Sequence, residues 1–371
     1  MHFLRLLILA LICSLSLVGR STSSPSAKTT YLGEAPGTTR SPAVLGASAG
    51  SGWIASVQLG SRSEARLRTQ GQLFVPPPAE IPDYEPPPDG EEPPPAPLDF
   101  RPRFRGELDD QLLARLCGQP VKSIRPLGGG ASIKFRIVLA DGSQAALKPN
   151  QTRITRYQAE VAAYRLSRAL GLGVVPPSCV RSFPVEFLMN GMGRELRERM
   201  ERELVVDASG QVQCAVIAWV PGLRNIKLEQ TLEVWRPLLL HDTPLPPKQR
   251  RRVLEISTLL LFDYLILNGD RWSGGNTTEA DGEMVFIDQG AGFGLDRRHK
   301  RSRMMLKTLK WSERFSREVA TSLLDLDPRA LEHELKDVLS PEEFEGLSYR
   351  IQHAKDYLRS LRRAAPKDSW L

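Results

Sequence analysis

Asp270, Asn276 and Asp288 stand where the chain leaves apolar runs, in "FDYLILNGDRWSGGN" and in "MVFIDQGAGFG". An exposed loop aspartate after a buried helix can accept a proton from an attacking hydroxyl. A carboxylate ending an apolar strand is costly unless it holds a cation, and Asn276 can supply that cation with a further ligand. A turn explains "NGD" or "DGE" alone, but not the spacing of the whole set. The chemistry that set could do is phosphoryl transfer. Such a reaction needs a backbone cover over the phosphates, a cation on them, acidic metal ligands and a residue that orients or deprotonates the nucleophile.

The remaining parts have candidates upstream. Gly128, Gly129 and Gly130 lack Cβ atoms and can bring backbone N–H groups close to phosphates; a triple glycine serves equally well as a hairpin turn. Lys148 ends the apolar strand "QAALK", where an unpaired ammonium would lose several kcal/mol to desolvation. Its natural partner is Glu160, whose helix face carries the small Ala163 and Ser167 one and two turns on. A surface ion pair is the other reading of these two residues.

Positioning these groups requires a particular order of elements. "KFRIVLA" and "QAALKP" read as strands joined by the "DGS" turn, followed by a helix in "TRYQAEVAAYRLSRALGLG" closed at Gly171. A charged helix in "GRELRERMERELV" precedes the buried strand "QCAVIAWVPG". "PPKQRRRVLEISTLLLFDYLILN" is a long helix with an apolar second half, "EMVFID" is a short strand, and helices follow. The last helix begins with Ser340 at its N-cap, Pro341 at N1 and Glu343 at N3. The expected class is α+β: a bilobal, protein-kinase-like fold, with a small β-rich lobe over about 101–220 and a mostly helical lobe over about 221–371.

The first hundred residues differ in kind. Residues 1–20 carry Arg5 and then an apolar stretch suited to a signal peptide, or to an anchor if uncleaved. Residues 21–100 are rich in Ser, Thr and Gly, then in Pro. "VPPPAEIPDYEPPPDGEEPPPAP" holds eleven of the chain's 29 prolines and reads as an extended, disordered tether. Cys117, Cys179 and Cys214 have no metal-site spacing, and the expectation is that disulfides do not hold the fold together. Residues 101–371 contain 43 basic and 34 acidic residues, with basic clusters at 248–252 and 297–310. No nucleic-acid motif accompanies them, so an anionic substrate or surface is the expected partner rather than nucleic acid, and solvated helix faces are the plain alternative.

These stretches resemble the secretory-pathway kinases, the family of the Golgi casein kinase, the xylosyl kinase and the four-jointed kinase. The resemblance covers roughly residues 122–300 and is carried by "ASIKFRIVLADGSQAALKP", "AEVAAYRLSRALGLGVVPP", "LLLFDYLILNGDR" and "MVFIDQGAGFG". It implies that Lys134 and Lys148 contact nucleotide phosphates and that Glu160 pairs with Lys148. Asp270 would be the catalytic base and Asp288 the Mg²⁺ or Mn²⁺ ligand. Backbone groups near Ala218 to Val220 would meet adenine. Asn276 lies six residues after Asp270 rather than five, which weakens its carry-over as a metal ligand. The family's cysteine-rich disulfides are missing, which favours a minimal or bacterial relative, as do Asn-x-Thr sites at Asn150 and Asn276 inside the site region.

The expected function is a secreted, periplasmic or secretory-lumen kinase that moves the γ-phosphoryl group of ATP to a hydroxyl of a protein or glycan. A nucleotide-binding pseudokinase scaffold is the alternative from another class. The same fold acting on a lipid headgroup, or transferring AMP, is a third.

Overall fold

Alternation along the strand sequences builds the first layer. The computed structural model describes residues 102–129, 131–152, 156–273 and 275–364; the expected signal segment, the tether and Gly130 lie outside them. Short strands β1 (Arg103–Phe104) and β2 (Glu107–Leu108) lead into helix α1 (Asp109–Gly118). Next come β3 (Val121–Pro126), β4 (Phe135–Leu139) and β5 (Gln144–Pro149). Phe135, Ile137 and Leu139 alternate inward and are fully buried, each stabilising the fold by roughly 1.5–3 kcal/mol. The expected turn lies between β4 and β5, with Gly142 at φ +86°.

Helix α2 (Tyr157–Ala169) follows, then β6 (Ser178–Pro184), α3 (Val185–Met189), α4 (Arg194–Glu203) and β7 (Gln211–Ala218). The five longer strands form one antiparallel sheet in the order β3-β4-β5-β7-β6. Lys148 pairs with Ala215 in its register and Ala145 with Ala218. Side-chain alternation therefore splits β7. Cys214, Val216 and Ala218 join the upper core with Leu147, whereas Ala215 and Ile217 face the helical side.

The second half is helical around a small hairpin. It contains β8 (Arg224–Asn225), α5 (Leu228–Trp235), α6 (Pro247–Ile266), β9 (Thr278–Ala280) and β10 (Glu283–Val285). Helices α7 (Lys300–Leu309), α8 (Arg317–Asp325), α9 (Pro328–Leu335) and α10 (Pro341–Ala364) complete it. Every residue of α6 from Ile256 to Ile266 is buried, as the near-continuous apolar run requires. The Ser340–Glu343 capping box closes reciprocally: Ser340 N–H donates to Glu343 Oε2 at 2.9 Å and Glu343 N–H to Ser340 Oγ at 3.3 Å. The β-sheet region followed by a helical region is the expected α+β class. Among the described residues no helix is long and apolar enough to cross a membrane.

One expectation is corrected. Cys117 and Cys179 form a disulfide that ties α1 to β6 across 62 residues, leaving Cys214 buried and free. Their spacing carried no signal because the pairing is set by α1 packing on the sheet. Burial pushes the Cys214 thiol pKa up.

Candidate active site

The site is assembled by three ends of secondary structure. β5 delivers Lys148, the first turn of α2 delivers Glu160, and the chain just after β10 delivers Asp288. Lys148 Nζ donates to Glu160 Oε1 at 2.6 Å and to Asp288 Oδ1 at 2.9 Å. Glu160 is 5% exposed and Asp288 33%, so the bridge has a closed side and an open side. Burial by itself lowers the Lys148 pKa, but the Glu160 and Asp288 carboxylates outweigh it and the net shift is upward. Lys148 lowers the pKa of the Asp288 carboxyl, against burial, with Lys134 and Arg271 adding to the effect. Lys134 therefore acts on the same field from β4's entrance.

Asp288 has φ 60°, a left-handed conformation that costs a non-glycine residue about 1–2 kcal/mol. Local strain of this kind is found where surroundings over-determine a functional position. The constraint comes from both flanks: Lys148 on the carboxylate, and Arg271 on the chain before it.

Arg271 is fully buried and organises the loop. Its Nε and Nη2 donate to Asp263 on α6, the shorter contacts at 3.1 Å, and Nη2 also donates to Gln289 Oε1 at 2.8 Å. Its Nη1 donates to two backbone carbonyls, Asn276 at 2.9 Å and Ile287 at 2.6 Å. One guanidinium thus holds the end of the loop that follows Asp270 and the residue that precedes Asp288. Burial raises the Asp263 pKa, while Arg271 pulls it back.

Asp270 itself is exposed. Its N–H donates to Asn268 Oδ1 at 3.1 Å, and Asn276 Nδ2 approaches its carboxylate at 3.5 Å and its carbonyl at 3.4 Å. Asn276 therefore meets Asp270 through its amide nitrogen, which leaves its oxygen as the group a cation could use. Asn268 in turn donates to Gln289 at 3.2 Å. Leu267 ends α6 at φ 59° and so turns the chain out toward Asp270.

Arg301 approaches from α7. A Cβ added to Gly269 would sit 3.0 Å from its Nη2, and one on Gly294 would sit 3.7 Å from its Nη1. Burial lowers the Arg301 pKa, while Asp296 and Asp270 oppose that shift.

The glycine-rich turn is only partly described. Gly129 has φ +80°, which is what requires a glycine there, and Gly128 has open space where a Cβ would go. Gln151 supports the strand beyond it, accepting from Ile133 N–H at 3.0 Å. At the chain crossing between the two halves, Ala218 donates its N–H to Pro177 at 2.8 Å and Trp219 donates to Gln144 at 3.3 Å. Both donors are engaged within the sheet, and Val220 is the next position along. A cavity of about 330 Å³ beside Ala218 and Trp219, lined also by Arg115 and Arg136, sits against the upper-core side chain of Ala218.

The donor set is oxygen-rich and sparse. Among the described residues no group of three or more His, Cys, Asp or Glu side chains forms a metal cage. The open carboxylate of Asp288 suits Mg²⁺ or Mn²⁺, cations that keep waters and take substrate phosphates as further ligands. Asp288 and Asn276 would hold such an ion.

Of the two basic clusters, the first is half engaged in ion pairs. Arg251 pairs with Glu283 at 2.6 Å, and Arg252 pairs with Glu255 and Glu279. In the second, Arg298, Lys300, Arg303 and Lys307 remain exposed on and before α7. Sequence reasoning missed Asp263, Gln289 and the locking role of Arg271. An aspartate inside the otherwise apolar "LLLFDYLI" was the available signal, because a lone carboxylate there needs a buried partner.

The comparisons with known proteins bear on the fold. No family model matches the chain. The chain is 24% identical over 247 residues to the extracellular serine/threonine protein kinase FAM20C of Homo sapiens, a match covering 50% of this chain and 41% of that protein. It thus spans less than half the length of this curated relative. Among solved structures, the Golgi casein kinase superposes with a TM-score of 0.56 at 16% identity, covering 70% of this chain and 76% of the other. The structure of hydra Fam20 with sugar gives 0.55 at 15% identity, covering 70% and 91%. The α+β kinase fold and the resemblance to secretory-pathway kinases are borne out.

Proposed function

We propose that this chain, a relative of the secretory-pathway kinases, transfers the γ-phosphoryl group of ATP to a hydroxyl of a protein or glycan. The observation that carries the reading is the double contact of Lys148. One ammonium is shared between Glu160 on α2 and the left-handed Asp288, which lies 140 residues after Lys148. A purely structural bridge has no need of an open carboxylate in a strained conformation at its far end.

In this reading Lys148 and Lys134 bind the phosphates, and Glu160 fixes the ammonium so that it can be lent to an anionic ligand without leaving its place. Asp288 and Asn276 hold Mg²⁺ or Mn²⁺, which neutralises phosphate charge when bound. Asp270 accepts the proton of the attacking hydroxyl, with its backbone steadied by Asn268 and the loop end by Arg271. Gly128 to Gly130 cover the phosphates, and the base of the nucleotide lies beside Val220 rather than on the engaged N–H of Ala218. The exposed cations of α7 stand next to the residue that contacts Gly269, which favours acceptors carrying negative charge.

Export is part of the proposal. The Cys117–Cys179 bridge fits an oxidising compartment, in keeping with the apolar segment expected at residues 1–20. The kinship with a kinase described as extracellular points the same way.

The test is incubation of the purified chain with γ-labelled ATP, Mn²⁺ or Mg²⁺, and pools of secreted proteins and glycans. Metal-dependent labelling of an acceptor, lost in Asp270→Asn, supports the reading. Mass analysis separates phosphoryl from AMP transfer. Tight ATP binding with no transfer to any acceptor would replace it with a pseudokinase.

A further inference from the structure

The loop from Asp288 to Phe293 is held at its far end by a residue that the phosphotransfer reading does not use. Phe293 is fully buried, with φ 54°, so two left-handed non-glycine residues five apart bracket this turn. Gly292 between them admits no side chain, since a Cβ would lie 3.0 Å from the Gln289 carbonyl and 3.2 Å from that of Ile266. Such a turn needs fixing at both ends. Lys148 fixes the Asp288 end.

Arg156 fixes the other. It is the residue just before α2, with extended backbone at φ −111°, and its N–H donates to the Gly290 carbonyl at 3.0 Å. Its guanidinium lies 3.4 Å from both the Gly292 and Phe293 carbonyl oxygens and donates to each. Its Nη1 pairs with Glu343, itself only 8% exposed. Glu343 is the N3 residue of the capping box that starts α10. Glu160 follows Arg156 by four residues, one helical turn. The same end of α2 therefore addresses both ends of the loop, through Lys148 on Asp288 and through Arg156 on Gly290 to Phe293.

We infer that Arg156, oriented by Glu343, is a positioning residue that sets the conformation of the Asp288 loop and so makes metal-dependent nucleotide binding sensitive to the seating of α10. The inference rests on the phosphotransfer reading for its consequence but not for its structural half. An arginine suits the position because its planar fork spans two adjacent carbonyls and a carboxylate at once, which an ammonium cannot do.

A control is built into the same helix. Arg165 also ties α2 to the C-terminal helices, donating to the Glu334 carbonyl at 2.7 Å and to Asp337. It makes no contact with the Asp288 loop among its described hydrogen bonds.

The experiment compares the full chain with Arg156→Met and Arg165→Met, each without and with Mn²⁺ and ADP. Without ligand, amide hydrogen exchange is read at Gly292 and Phe293, whose N–H groups donate to Gln289 at 2.8 Å and to Ile266. Arg156→Met is expected to speed exchange at those two amides about tenfold or more, the scale of one lost hydrogen bond to a charged group. It should also weaken Mn²⁺-dependent ADP binding by at least a similar factor, while Arg165→Met leaves both unchanged. Should Arg156→Met not fold, Arg156→Lys is read in its place, because it keeps a charge for Glu343 and loses the fork. Unchanged exchange at Gly292 and Phe293 overturns the inference, and so does equal acceleration in Arg165→Met, which would reduce Arg156 to general helix docking. If wild type binds no ADP with Mn²⁺, the phosphotransfer reading falls, and the exchange result still decides whether Arg156 holds the loop.

Discussion

Asp263 and Arg271 form an ion pair from which solvent is almost excluded, their side chains 3% and 0% exposed. Such a pair is weak evidence for added stability, because desolvation offsets much of the attraction. Its value here is geometric. With Asp263 neutralising it, Arg271 has its Nη1 left for the carbonyls of Asn276 and Ile287 and thereby sets the spacing between the two acidic positions of the site.

Breaking that pair strands a charge in the core. Arg271→Met should cost about 3–5 kcal/mol, the range for removing one partner of a buried pair. Denaturant unfolding measures it. Asp270→Asn, at an exposed loop position, should stay within about 0.5 kcal/mol of wild type. Equal stability of the Arg271 variant would show that the loop is held by other contacts.

The two acidic residues should fail differently. Asp270→Asn is expected to abolish phosphoryl transfer while Mn²⁺-dependent ADP binding remains within about threefold, because a proton acceptor contributes to the chemical step. Asp288→Asn should lose the metal dependence of binding itself. Calorimetric titration with ADP, with and without Mn²⁺, separates them; the same pattern in both variants would contradict the assigned roles.

Acid should weaken the Lys148 bridge only at low pH. The Asp288 carboxyl is held below its ordinary value, so its contribution is present above an unfolded pKa near 3.9 and is lost as pH falls through the lower folded value. The Lys148 pKa is raised, so its contribution is complete below about pH 10.4 and lost only as pH rises further. The stability difference between wild type and Asp288→Asn should therefore be flat from about pH 5 to about pH 9 and close at the acid end. A change centred near pH 7 would point to a different titrating group.

Reduction should destabilise the sheet region. The Cys117–Cys179 bridge spans 62 residues, which the chain-entropy model values at roughly 4 kcal/mol as an upper figure. Cys117→Ser with Cys179→Ser should lower the unfolding midpoint, and dithiothreitol should do the same to wild type alone. A midpoint indifferent to reductant would contradict a structural role for the bridge.

Much of the architecture could be read from periodicity. The inward alternation of Phe135, Ile137 and Leu139, the apolar run of α6 and the Ser340 capping box each state a local preference that tertiary structure kept. Asp288 and Lys148 were legible because charge at the end of an apolar strand has few cheap explanations. The disulfide was not legible, since Cys117 and Cys179 meet only after α1 packs on β6. Arg271 and Arg156 were missed for a related reason: their work is done on backbone carbonyls, which every residue carries and no side-chain pattern marks. At 248–252, Arg251 and Arg252 reach glutamates on the β9–β10 hairpin, a pairing that no sequence pattern marks.

The most direct test of the central claim is transfer of label from γ-labelled ATP to secreted protein or glycan acceptors, measured for wild type beside Asp288→Asn with Mn²⁺ present and chelated. Labelling by wild type that vanishes on chelation and in Asp288→Asn is the predicted result. Labelling that persists in Asp288→Asn, or ATP bound tightly and never transferred, would contradict it.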